Sequence, residues 1–358
     1  MNNTIYKHYT IVGKGLAGNL LAYFLLKNKQ AVTLIHKPTL PNSSQVAAGI
    51  YNPVTGRRMV ETWLADEIFP FLTDTYIQLE KDFQDAGITE KFFHPTLIFY
   101  PFPDEKIKEI LTKKFTQTPS KYINLTTKDD YNFIKKNHGG LTISSSGWLD
   151  INQLIHNFDQ YFRLQNITII DTEKYDYTNI NPQNINNNFT IFCEGYYTTQ
   201  NPFFSWLPFK PVKGEILNIK LNQETQNINH IINQGFFILP QKDENFRLGA
   251  TYDWDNLNWK NTNEANKILL EKAEKTFSFS IETLNQQAGI RPATADRRPF
   301  IGMHPKHKEI GIFNGFGSKG VSLIPYFANQ FSEMLIFNKE LHSEVNITRF
   351  DSLYLGEF

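Results

Sequence analysis

The chain has 358 residues and carries 36 Lys and Arg against 36 Asp and Glu, a length that suits two domains and a balance that argues against a polyanionic partner gripped by overall charge. Its one cysteine, Cys193, excludes a disulfide framework and fits a reducing compartment. The N-terminus lacks the apolar stretch of a signal peptide, and no run of roughly 18 apolar residues occurs, so a cytoplasmic location without a transmembrane segment is expected.

In chain order, a strand is expected at residues 9–12, then Gly13-Lys14-Gly15-Leu16-Ala17-Gly18, then an apolar helix through 20–26. This is the order a dinucleotide site needs. Gly13 permits the tight turn, Gly15 lets the backbone approach a pyrophosphate, and Gly18 lets helix and strand pack closely. The amides at the helix start, with Leu16 and Ala17, face the anion. A second strand at 31–35 completes the unit, and an acid should end it to accept from an adenosine ribose. Here His36 ends it, followed by Lys37; a neutral imidazole nitrogen accepts one such bond but not two, and the alternative is a solvated strand end. The small residues Ala47, Ala48 and Gly49 allow backbone to approach a flat ligand, and we place Ile50 and Tyr51 beyond them on the substrate side.

A long helix is expected at 60–85, a strand at 92–102, a helix at 104–115, a strand from 141–143, a helix at 151–163 and a short strand at 167–171. The Asn-rich stretch 179–188 reads as a solvated hairpin loop. An apolar strand then ends in Cys193, Glu194 and Gly195, returning beside the cofactor. Segments 212–217, 235–240 and 246–251 read as neighbouring antiparallel strands, and 264–276 as a helix. A second glycine motif, Gly315-Phe316-Gly317-Ser318-Lys319-Gly320, opens an apolar helix from Val321. Parallel signals at both ends therefore bracket a strand-rich middle, the pattern of a nucleotide domain interrupted by a mixed one. The histidines show no HExxH or Cys-x-x-Cys spacing, so no metal site is expected.

These motifs, with Lys213-Gly214-Glu215-Ile216, Gly249-Ala250-Thr251 and the stretch opened by Ala288-Gly289-Ile290-Arg291-Pro292, resemble in order the D-amino-acid oxidase superfamily of FAD-dependent oxidoreductases. Glycine oxidase and the FAD domain of a bifunctional tRNA wobble-uridine-modifying enzyme are the members they most resemble. The resemblance implies an α/β fold in which a Rossmann-like FAD-binding domain (1–62, 141–211 and 286–358) is interleaved with a mixed antiparallel-sheet α+β substrate domain (63–140 and 212–285). It implies that Arg291 holds a substrate carboxylate, a task suited to a permanently charged fork of donors. Gly289 and the turn Gly315, Gly317, Ser318, Lys319, Gly320 and Val321 would then lie against the flavin, where a helix dipole and Lys319 favour negative charge. From the residues alone, Arg291 could instead pair with Asp296, and Lys319 and Arg247 could face solvent.

Two departures qualify the resemblance. Phe237 stands where glycine oxidase has a substrate-contacting tyrosine, which removes one hydroxyl. The cysteine that attaches flavin covalently in the sarcosine oxidase branch would fall near Gly289, so noncovalent FAD is expected; the lysine that branch uses toward oxygen falls near Arg247. The expected activity is oxidation of an amine or amino acid carrying a carboxylate, by hydride transfer to flavin N5 and imine hydrolysis. One alternative is oxidative removal of a carboxymethyl group from a modified tRNA uridine, for which Arg57, Arg58, Arg297 and Arg298 offer a local basic stripe. Against it stand the zero net charge and a first strand so early that no preceding methyltransferase domain is expected. The other alternative is a flavin-binding protein without turnover.

Overall fold

A computed structural model describes residues 7–56, 58–126, 133–173, 175, 177, 188–221, 228–242 and 244–355. Arg57 and most of the Asn-rich segment lie outside the described residues, so the hairpin-loop reading has no counterpart here.

One sheet has six strands in the order Thr168–Asp171, Ala31–His36, His8–Val12, Asn188–Phe192, Ile310–Asn314 and Phe300–Met303. All neighbours are parallel except the last pair. His8–Val12 is covered on both faces, with Tyr9 and Ile11 buried on one and Val12 buried on the other. The helix Leu16–Lys27 packs directly against Gly320–Phe337 beside it, both being apolar nearly all round. Strand order reverses at His8–Val12, whose partners lead away in opposite directions, and ligands of open parallel sheets bind outside such a point.

The second large sheet has eight strands, in the order Ile281–Arg291, Val212–Leu221, Asn245–Gly249, Phe237–Pro240, Ile231–Asn233, Ile98–Pro101, Gly140–Ile143 and Ile123–Thr126. It is antiparallel apart from one parallel pair between Ile231–Asn233 and Ile98–Pro101. The strands expected from 212, 235 and 246 are adjacent in it. Gly140–Ile143 and the whole of Ile281–Arg291 also belong here, so both large sheets draw on the stretches 141–211 and 286–358. The helix Asn263–Thr276 covers one face through Leu269 and Ala273.

Two expected elements are divided. The helix begins at Ala65, not 60, because Val60–Glu61 pairs with Val54–Thr55 and Leu64 turns left-handed at φ 50° before the first helical residue. The stretch 92–102 forms two strands, Phe93–Pro95 and Ile98–Pro101, in different sheets. Pro95 has no N–H to continue a ladder, and the Thr96 amide bonds to the Ser146 carbonyl instead.

Candidate functional site

The site begins where three strand ends converge. Val12 lies in register with Ile35 on one side and Phe192 on the other. Just past them, the Gly13 amide donates to Ile35 O at 2.9 Å and the Cys193 amide to Val12 O at 2.7 Å. Gly13 has φ 109°, and a Cβ there would collide with the Cys193 carbonyl. The turn delivers the chain to Gly15, where the helix Leu16–Lys27 starts with no side-chain cap and no acid in its first turn. Its end amides and dipole are thus left for an anion, apart from the Leu16 amide, which donates to Ser44 Oγ at 3.2 Å.

Around these ends lies a cavity of about 930 Å³, near the upper end of the roughly 300–1,000 Å³ usual for ligand sites. His36 and Lys37 line it beyond the second strand. Burial and the Lys14 charge lower the His36 pKa, with Asp171 and Asp159 opposing, so the ring stays neutral and able to accept. Lys14 itself pairs with Asp159 at 2.7 Å. Cys193, Glu194 and Gly195 line the cavity as well. The Cys193 thiol is buried and held protonated by desolvation and the neighbouring Glu194. The Glu194 carboxyl accepts from Tyr177 Oη and Asn201 Nδ2, each at 2.7 Å; burial raises its pKa and these two hydrogen bonds oppose the rise.

A second helix end closes the far wall. Asn314 donates to Gly195 O at 2.9 Å and Thr198 Oγ1 at 2.6 Å, tying the two strand ends together. Gly317, at φ 54°, donates to Pro292 O, and the helix Gly320–Phe337 begins without a side-chain cap or an acid in its first turn. Gly317, Ser318, Lys319, Gly320 and Val321 all line the cavity. Burial, Arg298 and Arg297 lower the Lys319 pKa.

Arg291 ends the strand Ile281–Arg291 and lines the same cavity. Its guanidinium lies 4.6 Å from the Tyr252 ring centroid, donates to Thr251 O at 3.3 Å and packs against Gly214, where any side chain would collide with it. Asp296 is not its partner: that carboxylate pairs with Arg349 at 2.9 Å. Among the described residues no carboxylate pairs with Arg291. Desolvation lowers its pKa while the Tyr252 phenol opposes. A desolvated cation without a counter-ion is costly, and an anionic ligand relieves the cost.

The architecture finds its counterpart in known proteins. Residues 8–334 match the DAO family, described as FAD dependent oxidoreductase. The chain belongs to this family. Among its relatives, the tRNA 5-methylaminomethyl-2-thiouridine biosynthesis bifunctional protein MnmC of Legionella pneumophila (strain Corby) is 24% identical over 92% of this chain and 54% of that protein. Glycine oxidase of Bacillus subtilis (strain 168) is 30% identical over 38% of this chain and 37% of its own. The chain thus spans about half the length, or less, of these curated relatives it matches. In fold it is similar to glycine oxidase from Bacillus cereus ATCC 14579, with TM-score 0.76, 20% identity, and 93% and 96% of the two chains covered. It is likewise similar to iminodiacetate oxidase from Chelativorans sp. BNC1, with TM-score 0.74, 16% identity, and 96% and 98% covered.

As a DAO-family oxidoreductase the chain uses FAD, and its residues fit the group. Two uncapped, acid-free helix ends open on one cavity, and at Gly15 a Cβ would meet only Ser44 Oγ, at 3.1 Å, leaving the approach to the backbone clear. Ala47, Ala48, Gly49, Ile50, Tyr51, Phe237 and Gly289 also line the cavity, with Gly13, Gly15, Leu16 and Ala17. Three expected site residues do not. At Gly18 a Cβ would collide with the Gly13 carbonyl, so this glycine serves the packing of helix on turn. Gly315 sits behind the second turn, with φ 81°, where a Cβ would lie 2.7 Å from Thr294 Cγ2. Arg247 donates from Nη1 to Ala47 O at 2.9 Å and braces the small-residue segment from outside.

Sequence reading missed Ser44, Tyr196, Tyr197, Tyr252 and Trp259, all of which line the cavity. The signal for three of them lay in two aromatic clusters, Tyr196-Tyr197 in the short 3-10 helix Gly195–Gln200 and Tyr252-x-Trp254 on a loop. Among the described residues no cluster of His, Cys, Asp or Glu could hold a metal, and no helix is long and apolar enough to cross a membrane.

Proposed function

We propose that the chain oxidises a small amine that carries a carboxylate, and that Arg291 binds that carboxylate. The observation that carries this reading is the desolvated guanidinium on the cavity wall with no acid beside it among the described residues. Its two donor edges suit a carboxylate held in a plane, which fixes the substrate's orientation as well as its charge. Phe237, Ile50 and Tyr51 supply apolar wall and exclude water, and the lost hydroxyl at Phe237 leaves more of the anchoring to Arg291. When bound, FAD supplies the two-electron acceptor for oxidation of the carbon–nitrogen bond. The backbone from Gly13 to Ala17 holds its pyrophosphate, neutral His36 accepts from its ribose, and Gly317 to Val321 with Lys319 place positive potential at the flavin end. Noncovalent FAD belongs to the same proposal, because Gly289 stands where the attaching cysteine of the sarcosine oxidase branch would fall and the one cysteine, Cys193, lies elsewhere and is buried.

Arg291→Ala tests the anchor. Removing one partner of a desolvated charge pair costs about 2–5 kcal/mol, so the Kd of a bound amino carboxylate rises roughly thirtyfold or more while FAD is retained. Unchanged affinity for every carboxylate that reduces the flavin contradicts the assignment.

The match over 92% of the chain to a tRNA-modifying protein supports a second reading, removal of a carboxymethyl group from a tRNA uridine. Arg58, Arg297 and Arg298 belong to the stripe it would use, but Arg298 is paired with Glu344 at 2.7 Å. Reduction of the flavin by modified tRNA and by no free amino acid favours this reading over the first.

A further inference from the structure

The loop that follows Gly249 carries two large aromatic rings into solvent at the cavity mouth. Tyr252 and Trp254 are each 56% exposed, yet they stack on one another with centroids 6.0 Å apart and planes at 23°. Isolated exposed aromatics are ordinary; a stacked pair continuous with a ligand cavity is a built apolar surface. Tyr252 lines that cavity and its other neighbour is the Arg291 guanidinium, 4.6 Å from the ring centroid.

The loop is held firmly. Asp253 exchanges two backbone hydrogen bonds with Lys213, at 2.8 and 3.0 Å, and its carboxylate accepts from the amides of Asp255 and Asn256. Residues on either side of an extended position point the same way, which turns Tyr252 and Trp254 together away from Asp253. Beneath the loop, the fully buried Lys213 pairs with Glu215 at 3.3 Å and donates to Lys260 O at 2.6 Å, while Glu215 accepts from the Thr262 amide and hydroxyl. Both ends of the loop are therefore fixed to one strand, and the ring pair is organised before any ligand arrives.

Resting on the carboxylate reading of Arg291, we propose that Tyr252 and Trp254 form an aromatic platform that selects amine carboxylates bearing a flat ring. A ligand carboxylate on Arg291 stands next to the Tyr252 face, so a ring one or two bonds further on reaches the exposed side of the pair. Offset stacking of such rings is worth about 0.5–1.5 kcal/mol beyond simple burial, which reads as roughly twofold to tenfold in affinity.

The experiment titrates the FAD-loaded protein by calorimetry with acetate, cyclohexylacetate and phenylacetate, none of which carries an amine to oxidise. Phenylacetate is expected to bind roughly twofold to tenfold more tightly than cyclohexylacetate, and Trp254→Ala to bring the two within experimental error. Equal affinities in the unaltered protein, a ratio that survives Trp254→Ala, or no saturable binding of phenylacetate each overturns the platform. The carboxylate reading fails separately, when Arg291→Ala leaves the affinities for all three acids unchanged.

Discussion

Gly13 and Gly15 sit two residues apart and carry different loads. At Gly13 the backbone is left-handed and any side chain collides with the Cys193 carbonyl, so the constraint belongs to the fold. At Gly15 a Cβ meets only Ser44 Oγ, at 3.1 Å, on the cavity side. Gly13→Ala is therefore expected to lower the melting temperature of the apoprotein markedly, whereas Gly15→Ala leaves it within a few degrees but weakens retention of FAD. Thermal melting of each apoprotein beside its FAD Kd checks this, and equal effects on both quantities would show that the two glycines share one role. Both were legible as glycines of a dinucleotide turn. Their separate duties were legible too, but the clash that bars a side chain at Gly13 was not, because it exists only once residues 192–193 lie against the turn. Arg247 failed for the same cause: its charge was visible, but the Ala47 carbonyl that takes it up is 200 positions away in sequence.

At the scale of elements, the buried Lys213–Glu215 pair governs the loop above it. Lys213 is fully buried, so removing only its partner strands a charge in the interior. Glu215→Ala should destabilise the protein by about 3–5 kcal/mol, while Lys213→Met with Glu215→Leu should lose less than that single change. Chemical denaturation measures both; a double variant worse than Glu215→Ala would mean that the hydrogen bonds to Thr262 and Lys260 outweigh the charge. The Lys-Gly-Glu motif stood out in the sequence without any evident duty. Alternation along Val212–Leu221 sets these polar side chains among buried neighbours, and only the return of the chain through residues 251–262 shows what they hold. The amphipathic helix Ile151–Leu164 and the apolar helix Gly320–Phe337 lie close to where the sequence places them. The helix expected from 60 shifted because Val60 and Glu61 found a strand partner in Val54 and Thr55, a local pairing that helical spacing cannot reveal.

Across the whole molecule, two sheets meet at one cavity: the parallel sheet brings uncapped helix ends to it, and the antiparallel sheet brings Arg291 and the aromatic loop. The parallel half was readable because its glycine turns are local. The opposite wall was less so, since Tyr252 and Trp259 come from the loop before Asn263–Thr276 and Tyr196 and Tyr197 from the short helical turn Gly195–Gln200, and they assemble only in three dimensions, Tyr197 stacking on Trp259 at 6.1 Å. The division of labour we propose between the halves is that FAD accepts the electrons and the Arg291 wall admits only amines that bring a carboxylate. Anaerobic absorbance of the FAD-loaded protein measures this directly, with pairs of amines differing only in that group, such as sarcosine beside N-methylethylamine and phenylalanine beside phenethylamine. The account predicts that the flavin band bleaches with a carboxylate-bearing member and stays unchanged with its carboxylate-free twin. Equal bleaching by both members, or an oxidised flavin with every amino carboxylate, would contradict it.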